Sequence, residues 1–531
     1  MDSTNREAWV RLASLADLET KGCLLARHDA KRIALFAVSG QIVACNNRCP
    51  HEGYPLIEGV MAADCVLTCN WHNWKFDLKS GATLVGGDAL RTYPVRLDGD
   101  DVLVDIADPR PDTVVRDALA GLADSFERHE YERMAREIAR LGAAGGDPLE
   151  ALRQTIRATH EHFEYGATHA VPAAADWLAL RTEMAGDEGA ALATLTEAVA
   201  HFAWDSQRQL AHPFTDDVRE FGAGALIDAI EIEDEPAAVA QVRGAFAGGL
   251  GYADLKPALA RTALAHYQDF GHSLIYVEKA GDLLASLGED QGIGEAVSLM
   301  LVRSLVYASR EDLIPEFKSY APALAEWNGK GWKAPRPEDL RAGRLSTILG
   351  HMTAGSAGPL AVYDAAMQAA AWQMLHYDMN YQDRTTGPVS QNVGWLSFTH
   401  ALTFGNAVRR ACADQPDLWP AGLLQLGCFL GRNAAFVDAD QDTDGWQVVE
   451  PLAFVGDRKR ALVDHGEFEY IVACHLLKLS SALEEEFRAR DSVPWAATAA
   501  AALNRFLASP LKRKHALRAA NQALEFVRAD G

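Results

Sequence analysis

The chain changes its hydrophobic pattern once. Up to about residue 106, apolar and polar positions alternate in short runs: "IALFAVSGQIVACNNRC", "CVLTC", "KFDLKSGATLVGG" and "RTYPVRLDGDDVLVDI". A period of two predicts half-buried strands, with Ser39-Gly40, Lys79-Ser80-Gly81 and Asp98-Gly99-Asp100 as the turns between them. The Pro-marked run "ADPRPD" (107–112) reads as a linker. From about residue 113, apolar residues recur every third or fourth position, which predicts amphipathic helices. The first covers "VVRDALAGLADSFERHEYERMAREIARL" and ends at Gly142. Others are predicted over 148–165, 188–204, 255–288, 293–309, 358–377, 396–413, 466–487 and 495–528, with breakers at Gly145-Gly146, Ile232–Pro236, Pro335–Pro337, Gly355–Pro359 and Gly387-Pro388. The expected fold class is multidomain, β then α: a small all-β domain over 1–108 and a large all-helical domain over 109–531.

Composition adds exclusions. A formal net charge of −23 sets the chain against nucleic acid and anionic membranes, which both repel an acidic surface. The start "MDSTNREAWVRLASLADLETKGC" has no basic segment followed by an apolar run, and no stretch of eighteen apolar residues occurs anywhere. Eight thinly spread cysteines suit a reducing compartment with a metal site. The expectation is a cytoplasmic protein without a membrane partner.

The chemistry begins at Cys49. Two close pairs, Cys49-Pro50-His51 and Cys69-Asn70-Trp71-His72, are separated by seventeen residues between His51 and Cys69. Zinc is one reading of such a set. The single residue between Cys49 and His51 is tight for a zinc knuckle, and the strand–turn–strand character of the segment between the pairs brings two loops to one tip of a β domain. Both features favour iron–sulfur. Thiolates stabilise ferric iron, and neutral imidazoles lower the negative charge and raise the potential. The stretch resembles the Rieske 2Fe–2S domain family over about residues 8–106, including "NWKFDLKSG". That resemblance implies a 2Fe–2S cluster with Cys49 and Cys69 on one iron and His51 and His72 on the other. Where the respiratory type of this family has an extra cysteine in each loop, this chain has Tyr54 and Trp71 or Asn70, so no disulfide spans the cluster. Where that type has Ser and Tyr hydroxyls, this chain has Trp74 and Phe76. Fewer donors to the sulfurs predict a midpoint in the lower part of the Rieske span of about −150 to +300 mV. Cys45 and Cys65, each four residues before a ligand cysteine, read as small apolar strand residues.

The helical part carries a second set of residues. Histidines stand inside apolar helical stretches at "EYGATHAVPAAADWLAL" (His169), "ALAHYQDFGHSLIYVEKAGDLL" (His266 and His272), "GWLSFTHALTFGNAVRR" (His400) and "YIVACHLLKLSSALEEE" (His475). His266, Asp269 and His272 follow one another at three-residue steps, so neighbours share a helix face. A lone histidine on an apolar face is ordinarily a core group bonded to a carbonyl. Repetition across several helices instead predicts one pocket built from His169, His266, Asp269, His272, His400 and His475, since helical bundles assemble metal sites in this way. The acid–x–x–His–x(3–4)–His run of ring-hydroxylating oxygenases has its nearest match in Asp269-Phe-Gly-His272-Ser-Leu-Ile-Tyr276, where Tyr276 replaces the second histidine. Little after residue 113 reads as strand, so that oxygenase architecture is not expected.

"FGHSLIYVEKAGDLL" and "FTHALTFGNAVRR" resemble the questin-oxidase-like family, a similarity spanning about residues 150–510. It implies a helical oxygenase, some of whose members cleave polyketide rings in Baeyer–Villiger fashion. The resulting expectation is a Rieske oxidoreductase: a low-potential cluster feeds electrons to a helical domain that oxygenates a small organic substrate, with a second non-haem metal left open. No Gly-x-Gly-x-x-Gly opens a βαβ unit, so the electrons come from an external reductase or ferredoxin. A homo-oligomer is expected. The alternatives are an electron carrier whose helical domain docks a partner enzyme, and a redox sensor.

Overall fold

Alternation in the first hundred residues produces three small antiparallel sheets. One runs Trp9–Ser14, Asp101–Asp105, Val95–Asp98. The second runs Cys23–His28, Lys31–Val38, Gln41–Asn46, Thr92–Tyr93, and the third Val60–Met61, Val66–Thr68, Lys75–Asp77, Thr83–Val85. The strand Lys31–Val38 is buried on both faces. Ile33 and Leu35 enter one apolar cluster with Leu18, Val102 and Val104, while Ala34 and Phe36 enter another with Leu67, Phe76, Cys49 and Cys69. A period of two thus divides one strand between two cores. The turn leaving it places Ser39 and Gly40 at φ +50° and +77°, as a two-residue hairpin with the native strand twist demands.

The computed structural model describes residues 8–207, 209–288, 290–509 and 515–529. Met1–Glu7, read above for its lack of a leader pattern, and Leu511–Lys514 of the basic run "LKRKHALR" lie outside the described residues. The chain divides into two compact units, Met1–Ala151 and Leu152–Gly531. The change from strands to helices near residue 108 therefore falls inside the first unit. Two helices, Pro111–Ser125 and Tyr131–Ala143, replace the single helix expected over 113–141. The break is at Phe126–Glu130, where His129 takes φ +50°. The hairpin of helices is tied to the third sheet's outgoing loop. Asp88, fully buried, receives Arg136 at 3.1 and 2.6 Å and Arg140 at 2.8 Å. Burial raises this carboxyl, but the two guanidinium groups outweigh it and hold Asp88 below the ordinary carboxylate range.

In the second unit four helices pack in a ring: Ala170–Glu183 on His272–Leu287, this on Trp395–Asp414, this on Tyr470–Ala489, and the last back on Ala170–Glu183. Helices apolar on all sides belong in such an interior. The helix expected over 255–288 is in fact two, Tyr252–Ala263 and His272–Leu287. Between them the backbone leaves the helical region, with positive φ at Asp269, Phe270 and Gly271. The helix expected over 495–528 is likewise Ala496–Ala508 and Ala516–Ala529. Among the described residues no helix is long and apolar enough to cross a membrane.

Candidate functional site

Two sites emerge, one in each unit. In the first, the two ligand loops have the same backbone design. Cys49 N–H donates to the Tyr54 carbonyl at 2.8 Å and Gly53 N–H donates back to Cys49; Cys69 N–H donates to Trp74 at 2.8 Å and Asn73 N–H donates back to Cys69. Each loop turns through a left-handed residue, Gly53 at φ +80° and Asn73 at φ +59°. Glycine and asparagine are the residue types that accept this conformation most readily. The turns present Cys49, His51, Cys69 and His72 at one tip. Both cysteines are buried, and burial pushes the Cys49 thiol up to about 11. Cluster binding must displace that proton, as thiolate ligation always does. His51 and His72 turn their Nδ1 atoms toward each other, 3.2 Å apart, and their Nε2 atoms toward Glu52, at 3.9 and 3.7 Å. Two thiols within and two inward Nδ1 atoms at the rim fit a Rieske cluster.

The residues that replace the respiratory-type features have structural work of their own. Tyr54 stacks on Trp71 with centroids 3.9 Å apart, and Trp74 stacks on His51 at 4.6 Å. Cys45 is a buried residue of strand Gln41–Asn46; Cys65 is buried in the turn before Val66–Thr68, not within a strand. Glu52 faces the outer edges of both imidazoles. A half-exposed carboxylate beside a redox centre stabilises the oxidised form by ~1 kcal/mol. Glu52→Gln is therefore expected to raise the cluster midpoint by roughly 40 mV, read by protein-film voltammetry. An unchanged midpoint would show that solvent screens Glu52 completely.

In the second unit the ring of helices brings together His272, His400 and His475, each from its own helix, and His169, the residue that caps the start of Ala170–Glu183. A ligand atom of each lies within 4.8 Å of those of the other three. His272 Nε2 faces His169 Nε2 at 3.2 Å, and His400 Nε2 faces His475 Nε2 at 3.1 Å. The other ring nitrogen is engaged in every case. Nδ1 of His272 meets the Asp269 carbonyl at 2.5 Å, that of His400 the Leu396 carbonyl at 2.6 Å, and that of His475 the Ile471 carbonyl at 2.6 Å. His169 Nδ1 meets the Tyr276 hydroxyl at 3.2 Å. A carbonyl only accepts, so three of the rings carry their proton on Nδ1 and direct Nε2 inward as a lone pair. Burial, aided by the nearby Lys478 charge, holds His169, His400 and His475 well below the ordinary imidazole value. Facing lone pairs at 3.1 Å repel unless a cation lies among them. The arrangement fits a metal ion held by four imidazole nitrogens, with carbonyls orienting the rings from behind.

Of the remaining residues expected at this site, Asp269 takes part through its backbone. Its carbonyl fixes His272, and the left-handed Asp269–Gly271 turn starts the helix on that histidine. His266 stands elsewhere, because the chain is not helical between Ala263 and His272. Its Nδ1 bonds Asp312 at 2.9 Å and its Nε2 bonds Glu231 at 3.0 Å. Burial lowers its pKa, but these two carboxylates outweigh burial and raise it above 6.5. A raised folded value means the pair stabilises the fold fully below the unfolded value and loses that stabilisation as pH rises through the folded one. The Tm advantage of the native chain over His266→Gln is expected to be greatest below about pH 6.5 and to shrink as pH increases. A difference independent of pH would refute this.

Tyr276, which stands where the oxygenase run has its second histidine, orients His169 through its hydroxyl. Lys478, one turn after His475, is a residue that the hydrophobic pattern does not single out. This side chain is 2% exposed, and its Nζ has no hydrogen-bond partner among the described residues. A lysine within "ACHLLKLSSALE" was the available signal, since a buried unpaired ammonium is rare.

The comparisons concern the first unit. A family model for the Rieske [2Fe-2S] domain matches residues 8–94. The 3-phenylpropionate/cinnamic acid dioxygenase ferredoxin subunit of Escherichia coli (strain K12) is 38% identical over 81 residues, 15% of this chain and 76% of that protein. Its counterpart in Shigella boydii serotype 4 (strain Sb227) is similar to the same degree. Among solved structures, the ferredoxin of carbazole 1,9a-dioxygenase from Nocardioides aromaticivorans IC177 is 28% identical, covering 18% of this chain and 97% of its own at a TM-score of 0.18. With Cys49, His51, Cys69 and His72 gathered at one tip as its ligands require, the chain belongs to the Rieske [2Fe-2S] family through its residues 8–94.

Proposed function

We propose that the chain is a Rieske-fed oxidoreductase whose helical unit holds a redox-active first-row metal on His169, His272, His400 and His475 and oxygenates an organic substrate there. When bound, a Rieske cluster supplies single electrons at modest potential. The observation that carries the reading is the facing pair His400 and His475. Their Nδ1 atoms are committed to carbonyls and their Nε2 atoms meet at 3.1 Å. Imidazole donors suit iron, copper, nickel or zinc, and an electron-accepting unit on the same chain favours a metal that changes oxidation state. The two segments resembling the questin-oxidase-like family contain His272 and His400, which supports an oxygenase over a purely structural ion. An external reductase or ferredoxin supplies the electrons, and self-association into a homo-oligomer is part of this reading. The relatives' designation as ferredoxin subunits favours a second reading, an electron carrier whose helical unit docks a partner enzyme.

Metal analysis with single-turnover spectroscopy separates the two. The oxygenase reading expects one metal ion per chain beyond the two irons of the cluster. It also expects the reduced cluster to be reoxidised by dioxygen faster when that extra ion is present. A chain that binds the cluster alone, or one reoxidised at the same rate with and without the extra ion, overturns it.

A further inference from the structure

The four helices that supply the imidazoles carry a second regularity. Counting from each histidine toward the carboxyl end, polar side chains recur on the same face. Three to four residues on are Tyr276 and Lys478. Seven on are Asp176 and Lys279, and ten on are Asp282, Arg410 and Glu485. Offsets of three, four, seven and ten keep one helix face, and ten residues rise about 15 Å. Contacts occur within a tier, Asp176 Oδ1 to Lys279 Nζ at 2.9 Å and Arg410 to Asp282 at 2.7 Å through both guanidinium nitrogens, and between successive tiers, Lys279 to Glu485 at 2.8 Å. The helices therefore descend side by side from the four imidazoles. The column ends in a cleft of about 490 Å³ lined by Asp176, Lys279, Asp282, Arg410 and Glu485. Glu485 and Asp282 keep 36% of their side chains exposed there.

A structural ion-pair network would satisfy its members. Here Asp176 Oδ2, Ser481 Oγ and Lys478 Nζ have no hydrogen-bond partner among the described residues, and Glu485 Oε2 has only the Arg410 guanidinium, at 3.5 Å. Asp176 and Glu485 line the cleft, and Lys478 couples electrostatically to Asp176 on one side and to His169 on the other. Such groups are what internal water bonds to, and a file of water with interspersed acids moves protons.

We propose that this column is a proton-entry route, with Glu485 taking protons from the cleft and Asp176 relaying them past Lys478 toward the four-imidazole centre. The inference rests on the reading of that centre as a redox site. Its chemistry balances. Two electrons from the external donor, two protons from solvent, one dioxygen and one substrate C–H bond give one hydroxyl group and one water. The electrons enter through the first unit, and the protons need a separate path into a buried site. Asp176 suits a relay. Burial holds its carboxyl above the ordinary range, because Lys279 is shared with Glu485 and Asp282 and does not fully offset desolvation. A carboxyl raised above the ordinary range holds a proton that it can pass on.

The test compares the native chain with Asp176→Asn, Asp176→Glu and Glu485→Gln, all loaded with iron and assayed for metal content. Centre reduction is followed in H2O and D2O, with proton uptake read by a pH indicator and protonated carboxyl bands by infrared difference spectroscopy. Asp176→Asn is expected to slow proton-coupled reduction about tenfold to hundredfold and enlarge the solvent isotope effect. It should also remove a carboxyl band that responds to reduction, with Asp176→Glu partly restoring all three. Glu485→Gln, at a side chain 36% exposed, is expected to slow proton uptake and the reduction coupled to it. Full metal content with unchanged rate and isotope effect in Asp176→Asn and Glu485→Gln overturns the route while leaving the centre standing. Absence of the extra metal from the native chain overturns both.

Discussion

Replacing His400 with alanine is expected to strip the helical unit of its metal and leave the Rieske signal untouched. His272, His400 and His475 come from three separate helices and His169 from the cap of a fourth, so no two of the imidazoles share a helix. Loss of one of four donors weakens binding by at least about the hundredfold that loss of an orienting partner produces. Stability provides an independent readout. A ligand at a thousand times its Kd stabilises the folded state by about 4 kcal/mol. Added metal is therefore expected to raise the Tm of the native chain and not that of His400→Ala. Reoxidation of the cluster by dioxygen is expected to fall to background in the variant. If His400 were instead an ordinary core histidine, the substitution would lower stability equally with and without metal, and added metal would not change the native Tm. That result would remove the centre.

The complementary variant, Cys69→Ala, is expected to lose the cluster and keep the second metal. Cys69 is 2% exposed, and the loop residues Asn70, Trp71, His72, Asn73 and Trp74 that follow it carry no sulfur. Cys65, the nearest spare thiol in sequence, sits before the strand Val66–Thr68, in a buried turn. Electron paramagnetic resonance is expected to show no Rieske signal, while metal analysis still finds the ion of the helical unit. Electron delivery from an external donor should fall to background, because the compact first unit contains the accepting ligands. A persistent Rieske signal in Cys69→Ala would mean the ligand set is different. Taken together, the two variants test the centres separately, which a single knockout does not.

Much of this was legible beforehand, for identifiable reasons. Period-two alternation and the Cys-x-His and Cys-x-x-His spacings are local signals, and the β unit with its four ligands followed from them. The convergence of His169, His272, His400 and His475 was legible as repetition: one histidine in each of several apolar stretches. His266 misled because Asp269, Phe270 and Gly271 take positive φ and end the helical phase that would have linked it to His272. Backbone reversals of this kind depend on tertiary contacts, here the Gln268–Arg310 bridge, and leave little trace in hydrophobic periodicity. The single helix expected across 113–141 failed in the same way at His129. Lys478 and Asp176 were invisible for another reason. A lysine or aspartate in a helix is normally a solvated residue, and only the ring of neighbouring helices makes these two interior.

The salt link from Asp88 to Arg136 and Arg140 bears on how the electron-accepting part can be handled as an object. A fragment ended at residue 108, where the strand pattern stops, would discard both arginines and leave that carboxylate facing water where it now meets two cations. The fragment would also lose the wall of the 520 Å³ cleft that Arg136 and Arg140 build beside His51. The portable cassette for fusion to another enzyme therefore runs to the end of Tyr131–Ala143, some fifty residues beyond the stretch that the family match covers.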